Sequence, residues 1–170
     1  MSNFSIIGYT EKCKLLKNGR SKTRTVKSIK NIMIHHSGSI NLPIDDLIHL
    51  HTVSLHQWPT VGYHFYVTKS GIIYHCNPIT DIVNGCLNFN SNCIHICFEG
   101  NYMVHDVLID FNACLNTIIN FLPSVCRRAN ILKHKEKKNT LCPGTYLCNL
   151  IDLFNENRFE KTGLIWPEIE

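Results

Sequence analysis

The stretch CIHICFEG, residues 93–100, sets Ile94, Ile96 and Phe98 alternately against Cys93, His95, Cys97 and Glu99. That two-residue period belongs to a β-strand, whose successive side chains leave on opposite faces. A chain that makes such a strand must build a sheet around it, and the flanking segments say which kind. KNIMIHHSGS (30–39) is a short apolar strand ending in polar and turn residues, and VGYHFYVTKSGIIYHC (61–76) is a hairpin around Lys69-Ser70-Gly71. Between them NLPIDDLIHLHTVSLHQW (41–58) changes to helical spacing, with Asn41 as a candidate cap, Pro43 in the first turn and Ile44, Leu47, Ile48 and Leu55 on one face. DVLIDFNACLNTIINFL (106–122) is a second helix striped by Leu108, Phe111, Leu115, Ile118 and Leu122 and stopped by Pro123. A third helix opens at Pro143 with Tyr146, Leu147, Leu150, Ile151 and Phe154 inward. Strand, helix, hairpin, strand, helix, loop, helix predicts one mixed α/β domain, a central mixed β-sheet flanked by about three helices.

Bulk properties narrow the class. The chain has 170 residues, enough for one domain with a substantial core. No apolar run approaches the roughly 20 residues of a membrane-spanning helix, so no stable membrane association is expected. The start, MSNFSIIGYTEKCK, lacks the pattern of a secretory signal. Nine cysteines (13, 76, 86, 93, 97, 114, 126, 142 and 148) make an odd number, and Cys93, Cys97 and Cys114 lie in apolar runs, as buried thiols do. A reduced, cytoplasmic place of synthesis follows as the expectation. Residues 1–30 carry eight Lys/Arg against Glu11 alone, while the rest of the chain is net acidic within a total of +4. The expected organisation is a basic N-terminal segment (1–30) packed on or flanking a domain of residues 31–158, then a C-terminal tail (159–170). The basic segment would attract polyanions, whether nucleic acid or anionic wall polymers, or serve only as a solvated arm.

Three side chains stand out by placement. His35 ends the first strand, His134 lies in a charged loop, and Cys142 precedes Pro143 at a helix start. A cysteine at a helix N-terminus is expected to have a lowered pKa and to favour thiolate. Two neutral imidazoles and one thiolate would leave a fourth tetrahedral position open, as in a catalytic zinc site. Spacing alone leaves that reading and a packing or capping role for each histidine both open. The paired CxxC or HxxxH ligands of a closed structural site are absent.

Four segments in order resemble the type-2 N-acetylmuramoyl-L-alanine amidases, the superfamily of phage lysozyme-amidases and peptidoglycan recognition proteins. They are IMIHHSGS, HTVSLHQWPTVGYHFYVTKSGIIYHCNP, NSNCIHICFEGNY and HKEKKNTLCPG, spread from about residue 31 to 150. The resemblance implies a single-domain zinc amidase fold with one Zn2+ held by His35, His134 and Cys142. It implies hydrolysis of the amide between N-acetylmuramic acid and the L-alanine of the stem peptide, with bacterial peptidoglycan as partner. Tyr63 and Thr140 match the polar residues set near the developing oxyanion, as transition-state stabilisation requires. Trp58 and Asn90 lie in matched segments and, with His95 and Glu99, are the candidate substrate contacts. His36 and His64 neighbour site residues along strands and are expected to face away from the metal.

Departures from the family pattern are local. Ser-Ile-Gly-Ile is here Cys93-Ile94-His95-Ile96, so a glycine has become an imidazole. Cys97 stands where some bacterial relatives have a catalytic glutamate, Cys76-Asn77-Pro78 replaces a common Gly-Arg exit, and DIVNGC lacks a frequent histidine. These changes bear on stem-peptide recognition and leave the metal ligands in place. The expected activity is that of a phage or prophage endolysin, made in the cytoplasm and acting on the wall after release. The alternatives are a non-catalytic peptidoglycan-binding module, against which Cys142 argues, and a nucleic-acid- or polymerase-binding protein using the basic N-terminus.

Overall fold

Six strands form one mixed sheet: β1 (Ile6–Gly8), β2 (Asn31–His36), β3 (Phe65–Val67), β4 (Ile73–His75), β5 (Cys93–Phe98) and β6 (Asn130–Lys133). They lie in the order β1-β4-β3-β5-β2-β6, with β3 and β4 antiparallel and every other pair parallel. The helices are α1 (Thr10–Cys13), α2 (Ile44–His49, passing into a π-helical turn over Leu50–Ser54), α3 (Phe111–Phe121) and α4 (Thr145–Thr162). The structure, a computed structural model, describes residues 4–13, 21–103 and 110–162, with side chains described through Arg158.

Alternation along the strands divides the core in two. Ile32 and Ile34 of β2 and Ile94, Ile96 and Phe98 of β5 pack against Phe111, Leu115 and Ile118 of α3 and Leu147, Ile151 and Phe154 of α4. On the other face Tyr66 and Cys97 meet Ile44, Leu47 and Ile48 of α2, with Val61 and Cys13 filling in. Met33 and Cys93 pack on Cys86 beyond them. Each fully buried aliphatic or aromatic side chain contributes about 1.5–3 kcal/mol. Every residue of β5 is buried. The polar face expected for this strand is therefore covered, because a parallel strand inside a three-layer sheet has no solvent side.

Several boundaries differ from the sequence reading. Asn41 does not cap α2; Pro43 occupies that position, gives no side-chain bond, and accepts from Leu47 N through its carbonyl at 3.0 Å. α2 ends early, so Leu55 leaves the buried stripe and is 62% exposed. The expected start of the second helix at residue 106, with Leu108, lies outside the described residues; α3 itself begins behind Asp110, whose carboxylate accepts from Ala113 N at 3.0 Å. α4 begins at Thr145, two residues after Pro143, and continues to Thr162, past the expected domain end at 158. The hairpin holds, with Gly71 at φ 85° in its turn.

The segment expected as a basic arm contributes structure. Ile6–Gly8 pairs with β4, and Cys13 is fully buried. Arg24 turns inward and donates to Ile79 O from both Nε (3.1 Å) and an NH2 nitrogen (2.9 Å), with a further bond to Asn90 O. Burial lowers its pKa to about 10, still well above neutrality. Among the described residues no helix is long and apolar enough to cross a membrane.

Candidate metal centre

His35 is the penultimate residue of β2, in register with Cys97 of β5, and its side chain leaves on the face opposite Ile34. His134 follows directly on β6, the other neighbour of β2, in a tight turn whose amides at Lys137 and Lys138 donate to His134 O at 3.0 and 3.1 Å. The loop then returns: Lys135 N donates to Cys142 O at 2.9 Å and Gly144 N to Leu141 O at 2.7 Å. Gly144 has φ +94°, and a Cβ there would lie 2.3 Å from the Tyr102 carbonyl, so this close approach requires glycine. Two adjacent parallel strands and one closed loop thus carry three side chains to one point.

His35 Nδ1 is 3.1 Å from His134 Nδ1 and 3.8 Å from Cys142 Sγ. One donor atom from each of the three residues falls in a set spanning no more than 4.8 Å. Zinc bonds of about 2.0–2.1 Å to nitrogen and 2.3 Å to sulfur at tetrahedral angles would place N···N near about 3.3 Å and N···S near about 3.6 Å. The donor spacing fits such an ion. The donor types fit as well, two imidazoles and one sulfur being a borderline-soft set.

The charge states are set by burial. His35 is held well below the usual histidine range, first by burial and then by the neighbouring His134 and His36. His134 is lowered by burial and by Lys138. Both are neutral near pH 7, as metal ligation requires. The thiolate expected for Cys142 is corrected. Burial pushes its thiol up to about 12, although the His36 N–H donates to Sγ at 3.4 Å and opposes the rise. The helix dipole does not help, since α4 starts three residues beyond the sulfur.

Tyr63 stands beside this cluster, its ring centroid 5.2 Å from that of His35. Burial raises the phenol well above its ordinary pKa, and Cys97 adds to the rise, so the O–H stays protonated and able to donate. Its backbone is clamped by Asn77, which is fully buried and donates from Nδ2 to Tyr63 O (2.7 Å) and Val61 O (3.0 Å) while accepting from Thr60 Oγ1 (2.6 Å). Asn77 sits in the Cys-Asn-Pro exit that reads from sequence only as a departure. Thr140 Oγ1 accepts from Cys142 N at 3.2 Å, shaping the ligand loop while keeping its own O–H to donate.

The expected substrate contacts separate. Trp58 is half-buried, stacked on His56 at 4.1 Å, with Gly62 so close that a Cβ there would meet the indole at 2.8 Å. Asn90 serves the loop, accepting from Cys86 N at 2.6 Å. Glu99 is buried; its two oxygens accept from Leu42 N (2.9 Å) and Lys69 N (3.0 Å), tying two loops. His95 is fully buried behind His35. A groove-facing role for His95 and Glu99 is therefore corrected, because that face of β5 lies under other structure. His36 and His64 do turn from the cluster: His36 Nδ1 accepts from Tyr102 N at 3.2 Å, and His64 Nδ1 from His95 N at 3.0 Å.

The family model described as N-acetylmuramoyl-L-alanine amidase matches residues 25–145. A Mus musculus protein named N-acetylmuramoyl-L-alanine amidase is 30% identical over 102 residues, 56% of this chain and 19% of that protein. Peptidoglycan-recognition protein SC2 of Drosophila simulans is 24% identical over 137 residues, 77% of this chain and 64% of its own length. The chain thus spans less than two thirds of either relative. Among solved structures, the Ph2119 endolysin from the Thermus scotoductus MAT2119 bacteriophage superposes with a TM-score of 0.74 at 22% identity, covering 88% of this chain and 98% of the endolysin. A mixed sheet that superposes over most of its length, together with a family model matched over residues 25–145, places the protein in a defined class. The chain belongs to the N-acetylmuramoyl-L-alanine amidase family.

Proposed function

We propose that the protein is a zinc-dependent hydrolase of bacterial peptidoglycan that cuts the amide between the lactyl group of N-acetylmuramic acid and L-alanine. The observation that carries this reading is the convergence of His35, His134 and Cys142 within 4.8 Å beside a protonated Tyr63. His35, His134 and Cys142 would hold a zinc ion there, which would supply Lewis acidity toward a carbonyl and lower the pKa of water. The chain's own residues do the rest. Tyr63 presents an O–H donor to the oxyanion that forms as the amide carbon becomes tetrahedral, and Asn77 holds its backbone in register. The Thr140 hydroxyl, fixed by its bond to Cys142 N, offers a second donor from the ligand loop.

Synthesis in a reducing compartment, followed by release to the wall, completes this reading, as a phage or prophage endolysin would require. Attraction to anionic wall polymers falls to Arg20 and the lysines of the N-terminal segment, since Arg24 is committed inside the fold. A purely recognising module is disfavoured by Cys142, which completes the donor set.

Purified cell walls incubated with the protein and zinc are expected to lose turbidity and to gain free N-terminal alanine without new reducing sugar ends. Chelation abolishes both changes, zinc restores them, and Cys142→Ser removes them. Undiminished alanine release by Cys142→Ser, or reducing ends in place of alanine, overturns the proposal.

A further inference from the structure

His95 stands directly behind His35. Its Nδ1 lies 3.0 Å from His35 Nε2, and the ring centroids are 5.2 Å apart. Both residues are fully buried. The His95 ring is held from two further sides. Its backbone N–H donates to His64 Nδ1 at 3.0 Å, and the His64 ring stacks at 6.0 Å with planes 18° apart. Gly85 lies against the ring, where a Cβ would sit 2.4 Å from His95 Cγ. Residue 85 must be glycine for residue 95 to be histidine. The bulk gained on β5 is thus accommodated on the loop above it.

A neutral imidazole carries one proton, so its tautomer follows from what each nitrogen faces. His35 Nδ1 faces His134 Nδ1 and Cys142 Sγ, and it ligates a metal only through a lone pair. The proton then belongs on Nε2, which needs an acceptor. We propose that His95 is a positioning residue of the metal site, whose Nδ1 accepts the His35 Nε2–H and so holds the His35 Nδ1 lone pair toward the cation. The inference rests on the zinc reading above and adds the group that sets this ligand's tautomer and ring plane.

The arrangement has a visible cost. With Nδ1 accepting, the His95 proton lies on Nε2, a buried atom with no hydrogen-bond partner among the described residues. Buried donors are normally satisfied, and among the described residues only His75 Nε2 shares this lack of a partner. Deeper in, the column is consistent: His64 Nδ1 accepts, so its proton is on Nε2 and is donated to Asp81 O at 3.0 Å. Arg24, 3.1 Å from that same nitrogen, directs its own donors to the Ile79 and Asn90 carbonyls.

Cobalt(II) titration of the metal-free full chain tests this without substrate, the thiolate charge-transfer band reporting Cys142. His95→Leu is expected to weaken Co2+ affinity about 10- to 100-fold. His95→Asn puts an amide oxygen where Nδ1 stands and is expected to stay within about threefold of wild type. Metal-free His95→Leu is expected to melt no lower than wild type, an outcome a merely structural histidine would not give. Should that variant not fold, nitrogen-15 imidazole spectra of the wild type decide, with zinc loading expected to show His35 protonated at Nε2 and His95 Nδ1 as acceptor. Wild-type affinity in His95→Leu, or a zinc-loaded His95 protonated at Nδ1, overturns the inference and leaves the metal site standing. A wild-type protein that takes up no Co2+ removes the site itself.

Discussion

A thiol with a pKa of about 12 keeps its proton at any ordinary pH, so a cation that takes Cys142 Sγ must displace it. His35 and His134 are held below the usual histidine range and have no proton to give up near neutrality. One proton per metal is therefore released between pH 6.5 and 8.5. Metal affinity measured by competition with a chelator of known pH dependence is expected to rise about tenfold per pH unit over that window. A flat profile would mean that the thiolate already exists or that sulfur does not bind. Sequence supplied the residue type here and misjudged its environment. Placement before Pro143 suggests a helix terminus, while the real determinant is how deeply the loop is covered. His95 shows the same limit: alternation assigns a face to a side chain, and only the assembled sheet says whether that face is open.

The elements were legible wherever periodicity had room to repeat. α3 is eleven residues long, and its Phe111, Leu115 and Ile118 stripe is read directly from spacing. β1 and β6 have three and four residues, too few to show a period, and β6 is crowded between Arg127-Arg128 and a lysine-rich loop. Each became a strand by pairing at an edge of the sheet, β1 with the equally short β4 and β6 with the longer β2. The start of α3 rests on one side chain, the Asp110 carboxylate bonded to Ala113 N at 3.0 Å. Asp110→Ala is expected to cost about 1 kcal/mol of unfolding free energy, read from the urea midpoint, with an unchanged slope. Asp110→Asn should recover most of it.

At the scale of the molecule, buried neutral histidines couple stability to acid. Burial drives His64 down to about 3 and His51 to about 4, from the 6.5 of an unperturbed side chain. Their folded pKa values are depressed, so the unfolded chain binds protons that the folded chain refuses. The stability they support is fully present above pH 6.5 and is lost as pH falls toward 4. Each contributes a slope of about 1.4 kcal/mol per pH unit. Together they should remove about 3–4 kcal/mol between pH 6 and 4.5, seen as a falling urea midpoint; a level midpoint across that range would contradict their burial.

Because β6 is an outer strand and passes straight into His134, one candidate ligand hangs on an edge ladder of the sheet. Local opening there would release an ion held by the trio without global unfolding, and by the same linkage the ion would restrain that opening. Amide exchange at Asn130, whose N–H donates to Lys30 O at 3.0 Å, and at Leu132, the next ladder donor, should slow markedly when zinc is added, while amides in the middle of β5 change little. The candidate metal centre would then act as a clasp on the rim of the protein, and chelator would loosen one border of the sheet before it disturbs the interior.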